Sequence, residues 1–179
     1  MQLSMREEDM KELLDRIIEA KYKENSFFYD NPIRPKPGGP ANGDDLRQLD
    51  LYLAAKGLTA PKAYRLFLSV YNGIEHVLGP SYSLLPVGAV IGEQYDILEE
   101  NIEEFPNYCE FVIAAGNTPN FIGFDINTSS AEGGYEVVEV AADGSEWRLK
   151  NFEHFLISYL AVLERNILAQ EKDRENLDD

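Results

Sequence analysis

The chain has 179 residues, 44% of them hydrophobic and 27% charged, with 16 Lys and Arg against 32 Asp and Glu and a formal net charge of −16. That length suits one domain, or one domain with an extension, and a core built without disulfide staples. The sign of the charge excludes a non-specific nucleic-acid binder or an anionic-membrane binder, and ten Tyr, nine Phe and one Trp supply more apolar surface than a disordered chain carries.

The first expected element is a helix. Met10, Leu13, Leu14, Ile17 and Ile18 form one apolar stripe at helical spacing. Ser4 and Glu7 match a capping box, and Glu8 and Asp9 suit the positive end of the helix dipole. Such a stripe must be covered, either by the main domain or by another chain. Residues 1–30 therefore read as an N-terminal helical extension. Residues 31–43 (NPIRPKPGGPANG) read as a linker, because four Pro and three Gly disfavour helix and sheet alike.

The main domain is expected over residues 44–169. Asp44 or Asp45 can cap its first helix, Leu46, Leu49 and Leu53 line one face, and Gly57 stands where a helix-ending glycine would. Pro61 suits the first turn of a second helix, whose face is Tyr64, Phe67, Leu68 and Tyr71, and Asn72-Gly73 ends it. The period then changes to short runs of β-formers at 84–91, 110–115, 120–126, 135–140 and 146–149, with Asp143-Gly144 as a hairpin turn. Short hairpin links force antiparallel pairing. One helix, at about residues 95–105, interrupts the strands. A last helix starts at the N-cap Asn151 and carries Phe152, Phe155, Leu156, Tyr159, Leu160, Leu163 and Ile167 on a face expected to cover the sheet. Residues 170–179 read as a frayed polar tail. The fold class is α+β, an antiparallel twisted sheet of about five or six strands with helices packed on it.

The acid excess is localised. Residues 1–43 carry 7 basic and 8 acidic side chains, whereas residues 44–179 carry 9 and 24. Between Arg65 and Arg148 there is no Lys or Arg, and that interval holds 14 acids. Within it, Glu99/Glu103 and Glu100/Glu104 are like-charge pairs at i, i+4, an arrangement that destabilises a helix unless something offsets it. Spatial neighbours or salt can screen it; alternatively it is an acidic ridge for a basic partner. The candidate partner-binding residues are Glu99, Glu100, Glu103 and Glu104, with Glu93 and Asp96 beside them.

Catalytic and cofactor signatures are sparse. No phosphate-cradling glycine motif is present. His76 and His154 read as loop and helix-turn residues, and the lone Cys109 as a packing residue without a basic sequence neighbour. Asp125, Asn127, Ser129 and Glu136 have the spacing of a calcium loop, but Ser130 replaces the required glycine and the flanks read as strands. No metal, cofactor or enzymatic activity is expected. The first residues lack the apolar core of a signal peptide and no run approaches the roughly 18 apolar residues of a membrane span, so the expectation is a soluble, cytoplasmic protein.

Two stretches carry a resemblance. Leu46–Ile74 (LRQLDLYLAAKGLTAPKAYRLFLSVYNGI) resembles the opening of the SUKH superfamily: a helix, a glycine link, a proline, then Tyr64, Phe67, Leu68, Tyr71, Asn72 and Gly73 in the pattern Y-x-x-F-L-x-x-Y-N-G. Asn120–Leu160 is similar to the family's later strands, hairpin and final F-x-x-F-L helix, here Phe152, Phe155 and Leu156. Ile74 and Glu75 stand where many members have a tryptophan. The resemblance covers about residues 44–165 and implies a non-enzymatic α+β protein. In bacteria it implies an immunity protein that binds and neutralises a cognate toxin, here through an acidic surface suited to a basic target such as a nuclease. The alternative it implies is a regulatory or scaffold module of the cell-wall-synthesis-regulator type.

Overall fold

The structure, a computed structural model, describes residues 5–92, 111–116, 120–128, 134–141 and 143–176. The first helix, α1, spans Glu7–Phe28. The five residues of the expected stripe are all buried in it. Its start differs from the Ser4–Glu7 expectation. Ser4 lies outside the described residues and Glu7 is already the first helical residue, so the pairing role falls two residues later, on Arg6 and Asp9. The Asp9 carboxylate accepts from the backbone N–H of Arg6 at 3.2 Å and from its Nε at 2.9 Å, which holds Asp9 below the usual carboxylate range.

The Pro/Gly stretch is not free of sheet. Lys36–Pro37 forms strand β1, paired antiparallel with β2, Ile74–Gly79, in the register Pro37↔Ile74. An edge strand accepts a proline because its missing N–H can face away from the ladder. Gly38 N–H then donates to Gly73 O at 3.0 Å, Asn72 N–H to Gly39 O at 2.9 Å, and Ala41 N–H to Leu68 O at 2.9 Å. A Cβ on Gly38 would stand 2.4 Å from Asn72 O, so the two backbones approach this closely only with glycine there.

Helix α2, Gly43–Ala54, is capped by Asn42 rather than by Asp44 or Asp45. Asn42 Oδ1 accepts from Asp45 N–H at 2.8 Å while the Asp45 carboxylate accepts from Asn42 N–H at 3.1 Å. Gly57, at φ 73°, occupies the left-handed position expected after it. Helix α3, Lys62–Val70, follows Pro61 and buries Tyr64, Phe67 and Leu68. Tyr71 ends it, and its hydroxyl donates to Asp15 of α1 at 2.5 Å.

Beyond Gly73 the chain departs from the expected strand over 84–91. Strand β2 comes first, followed by β3, Tyr82–Leu84, and then by a helix, α4, Val87–Gly92. Pro86 cannot donate to a ladder, and Val90 N–H bonds back to its carbonyl at 3.0 Å. The side chain of Asn72 accepts from Val87 N–H at 2.8 Å, satisfying the first free donor of α4. In β2, a register shift surrounds His76, whose φ is 60°. The irregularity puts Ile74 and Val77, three apart, into the core together and erases the period-two signature.

The remaining strands are β4, Val112–Gly116; β5, Phe121–Asp125; β6, Glu136–Val140; and β7, Glu146–Leu149. The seven strands form an open antiparallel meander in chain order, with the Asp143-Gly144 turn joining β6 to β7. The α+β class holds. Among the described residues the sheet has seven strands rather than five or six, because the Pro/Gly stretch and the irregular β2 both join it. The expected helix at 95–105 lies outside the described residues.

Helix α5, Phe152–Glu175, starts at Asn151, whose Oδ1 accepts from His154 N–H at 2.8 Å. It packs on β6, β7, α3 and α1, and Tyr159 donates to Val77 O of β2 at 2.7 Å. The centre of the core is aromatic. The Tyr64 ring meets Phe111, Phe124 and Phe152 edge-on at 5.6, 5.4 and 5.2 Å, tying α3 to the sheet and to α5.

Helices α1 and α5 run in the same direction. Arg16 pairs with Glu164 at 2.9 Å, and seven residues further along both helices Lys23 pairs with Glu171 at 2.5 Å. Glu24 is buried at this seam, held by Lys21 at 2.6 Å and Asn166 at 2.8 Å. The α1 stripe is thus covered by the chain's own elements. The same pairing explains why residues from Gln170 onward are helical to Glu175 instead of frayed: Lys23 holds Glu171, and the Arg174 guanidinium sits 4.6 Å from the Phe27 ring.

Candidate binding surface

All six sequence-expected contact residues, Glu93, Asp96, Glu99, Glu100, Glu103 and Glu104, lie outside the described residues, as does Cys109. What borders that interval is well anchored. Val90 of α4 and Phe111 are fully buried, and the Phe111 ring packs tilted against Phe124 in the aromatic centre, 4.7 Å between centroids.

The acid excess continues on the described sheet. Strand alternation places Asp125 of β5 opposite Glu136 of β6, and Arg148 and Glu146 of β7 opposite Val138 and Val140. Glu136, Val138 and Val140 share one face, so these four charged side chains meet there. Arg148 Nη1 lies 2.8 Å from Asp125 and 3.0 Å from Glu136, and its Nη2 lies 3.0 Å from Glu146. Arg148 is the first basic residue after Arg65. Three carboxylates surround its single positive charge, so the cluster stays net negative.

Asp125 is the buried member, and its carboxylate also accepts from Asn127 N–H at 3.0 Å. The Thr128 hydroxyl donates to Asp125 O at 2.8 Å and accepts from Glu136 N–H at 2.9 Å. Of the calcium-like spacing, Asp125 ends β5 and Glu136 begins β6, while Ser129 and Ser130 lie outside the described residues. A guanidinium stands between Asp125 and Glu136. Among the described residues no group of three or more His, Cys, Asp or Glu is placed to hold a metal ion.

Trp147 lies on the opposite face of β7, 57% exposed, paired with Glu139 of β6. Burial pushes the Glu139 carboxyl above its usual range. An exposed indole on an edge strand, on the face opposite the acidic cluster, has the composition of a protein-contact anchor. No local sequence pattern singled out this patch; the signal available was Arg148 as the residue that ends the base-free interval.

The histidines sit in structural positions. His154 is exposed in the first turn of α5, its backbone bound to Asn151. The His76 ring nitrogen Nδ1 lies 2.5 Å from Pro80 O within its own hairpin, and the His76 backbone N–H donates to the Ser83 hydroxyl at 3.0 Å.

These elements define the class as an α+β protein on an open antiparallel meander. No family model matches the chain, and no match is found among curated proteins. Among the described residues no helix is long and apolar enough to cross a membrane.

Proposed function

We propose that this chain is a non-enzymatic protein-binding domain of the SUKH type, acting in the cytoplasm as an immunity protein that binds and neutralises a cognate toxin with a basic surface. The observation that carries the reading is the base-free acidic interval of residues 66–147. The three carboxylates that surround Arg148, the first cation beyond it, support the reading further. A toxic nuclease holds phosphate with Lys and Arg, and a concentrated negative surface competes for the same groups. It also steers the encounter, so capture slows as salt rises.

Glu99, Glu100, Glu103 and Glu104 are assigned the principal contact, with Glu93 and Asp96 flanking them. The test is co-expression with the product of the adjacent gene, followed by co-purification and stopped-flow association. Exchange of the four central Glu for Gln is expected to slow association about tenfold or more at low salt. An unchanged association rate removes these residues from the contact. Stable pairing with a non-toxic cellular protein would instead support the regulatory, scaffold-type alternative.

A further inference from the structure

The parallel packing of α1 and α5 leaves an open groove along one flank of the pair. It consists of two adjoining hollows, of about 740 and 540 Å³, that share Glu19 and Glu164. Ala20, Tyr22, Ile167 and Leu168 line the larger hollow, and Leu168 is 65% exposed. From Glu8 to Ser26 the groove follows α1 for about 27 Å at the helical rise of ~1.5 Å per residue. That is the length of about 18 residues of a third helix laid alongside.

The charge on its rim selects the occupant. Six carboxylates line the two hollows against three cations, Lys11, Arg16 and Lys23. Each cation is already committed: Lys11 to Asp15 at 2.6 Å, Arg16 to Glu164 at 2.9 Å and Lys23 to Glu171 at 2.5 Å. Glu19 is held by Arg34. Glu8 and Glu12, one helical turn apart at the N-terminal end of the groove, have no ion pair among the described residues. A second copy would bring the same acidic rim on a chain of net charge −16, so it is disfavoured on sign.

We propose that the α1/α5 groove docks an amphipathic helix of a partner protein, its apolar stripe on Leu168, Ile167 and Ala20 and its basic flank on Glu8 and Glu12. This is the helix-in-groove mode of recognition, with the apolar floor of the larger hollow for affinity and the charged lining of the smaller one for orientation. None of the residues lining the groove is among those assigned to the toxin contact, so the inference does not rest on the toxin reading.

The test titrates the full chain with three fluorescent synthetic peptides of about 21 residues, long enough to span the groove as helices. One carries a leucine stripe flanked by Lys, the second the same stripe flanked by Glu, and the third the Lys composition in a non-amphipathic order. Only the first is expected to bind. Leu168→Glu, at an exposed position, is expected to weaken it about tenfold or more. The pair Glu8→Lys and Glu12→Lys is expected to weaken it about threefold or more and to flatten its salt dependence. Circular dichroism and melting check that the variants remain folded, and the two charge-reversal changes are an independent probe. Equal binding of the third peptide, unchanged binding to either variant, or no binding at all overturns the proposal. So does self-association of the chain that Leu168→Glu abolishes. Both variants retain Glu99, Glu100, Glu103 and Glu104, so failure here is distinct from failure of the toxin test.

Discussion

Arg148 Nη1 stands 2.8 Å from the buried carboxylate of Asp125, the tightest contact in a cluster where one cation serves three acids. The Arg148 side chain is 37% exposed and the Asp125 side chain 8%. Solvent therefore weakens the Coulomb attraction on one side, while the penalty for stranding the acid remains on the other.

Arg148→Met is expected to destabilise the fold by about 1–3 kcal/mol, below the cost of breaking a fully buried pair because the arginine is partly solvated. Asp125→Asn in the same background is expected to recover part of that loss, since it removes the stranded charge. Urea unfolding of the two single variants and the double variant measures the coupling. Strict additivity would show that Arg148 and Asp125 do not depend on each other.

Gly38 and Gly39 form an internal comparison. A Cβ at Gly38 meets Asn72 O at 2.4 Å, whereas nothing lies within 4 Å of one at Gly39. The obstacle at Gly38 is backbone and cannot swing aside. Gly38→Ala is expected to cost about 1–3 kcal/mol by forcing β1 from β2, and Gly39→Ala to remain within about 0.5 kcal/mol of the parent. Denaturant midpoints decide it. Equal values would show that the Pro/Gly stretch is only loosely attached to the sheet.

Glu139 carries the pH prediction. Burial raises its folded-state pKa above the ordinary 4.5. The fold therefore prefers the protonated acid, and ionisation costs stability as pH rises from the unfolded value through the raised folded one. Glu139→Gln is expected to gain stability relative to the parent over that interval and to keep the gain at neutral pH, with the charge-dependent gain vanishing below about pH 4. Paired melting curves from pH 3 to about 8 follow it. A pH-independent difference between the two proteins would assign the effect to packing.

Local periodicity was the most legible part of this chain. The α1 stripe, Tyr64, Phe67 and Leu68 of the α3 face, Gly57 after α2 and Asn151 before α5 all depend on residues within about one or two helical turns and stand where they were expected, whereas Tyr71 already lies past the end of α3. The caps of α1 and α2 shifted locally by two or three residues, whereas the departures in the sheet and at α4 involve partners far along the chain. Asn72 caps α4 from fifteen residues upstream, so the run around Val87 and Val90 resembles a strand until that bond is in place. β1 exists only because residue 37 finds residue 74, and His76 disrupts the alternation that would have marked β2.

The candidate site divides in the same way. The acidic residues from Glu93 to Glu104 are legible as a charge pattern alone, and they fall outside the described structure. The Arg148 cluster draws on Asp125, twenty-three residues away, and Glu136, twelve away, so only strand register brings it together. The α1/α5 groove joins residues about 148 apart and belongs to neither helix alone. Helical faces and caps follow from contacts between near neighbours, which the order of residues already contains. Register, edge pairing and grooves follow from which distant surfaces bury one another, a competition settled across the whole fold.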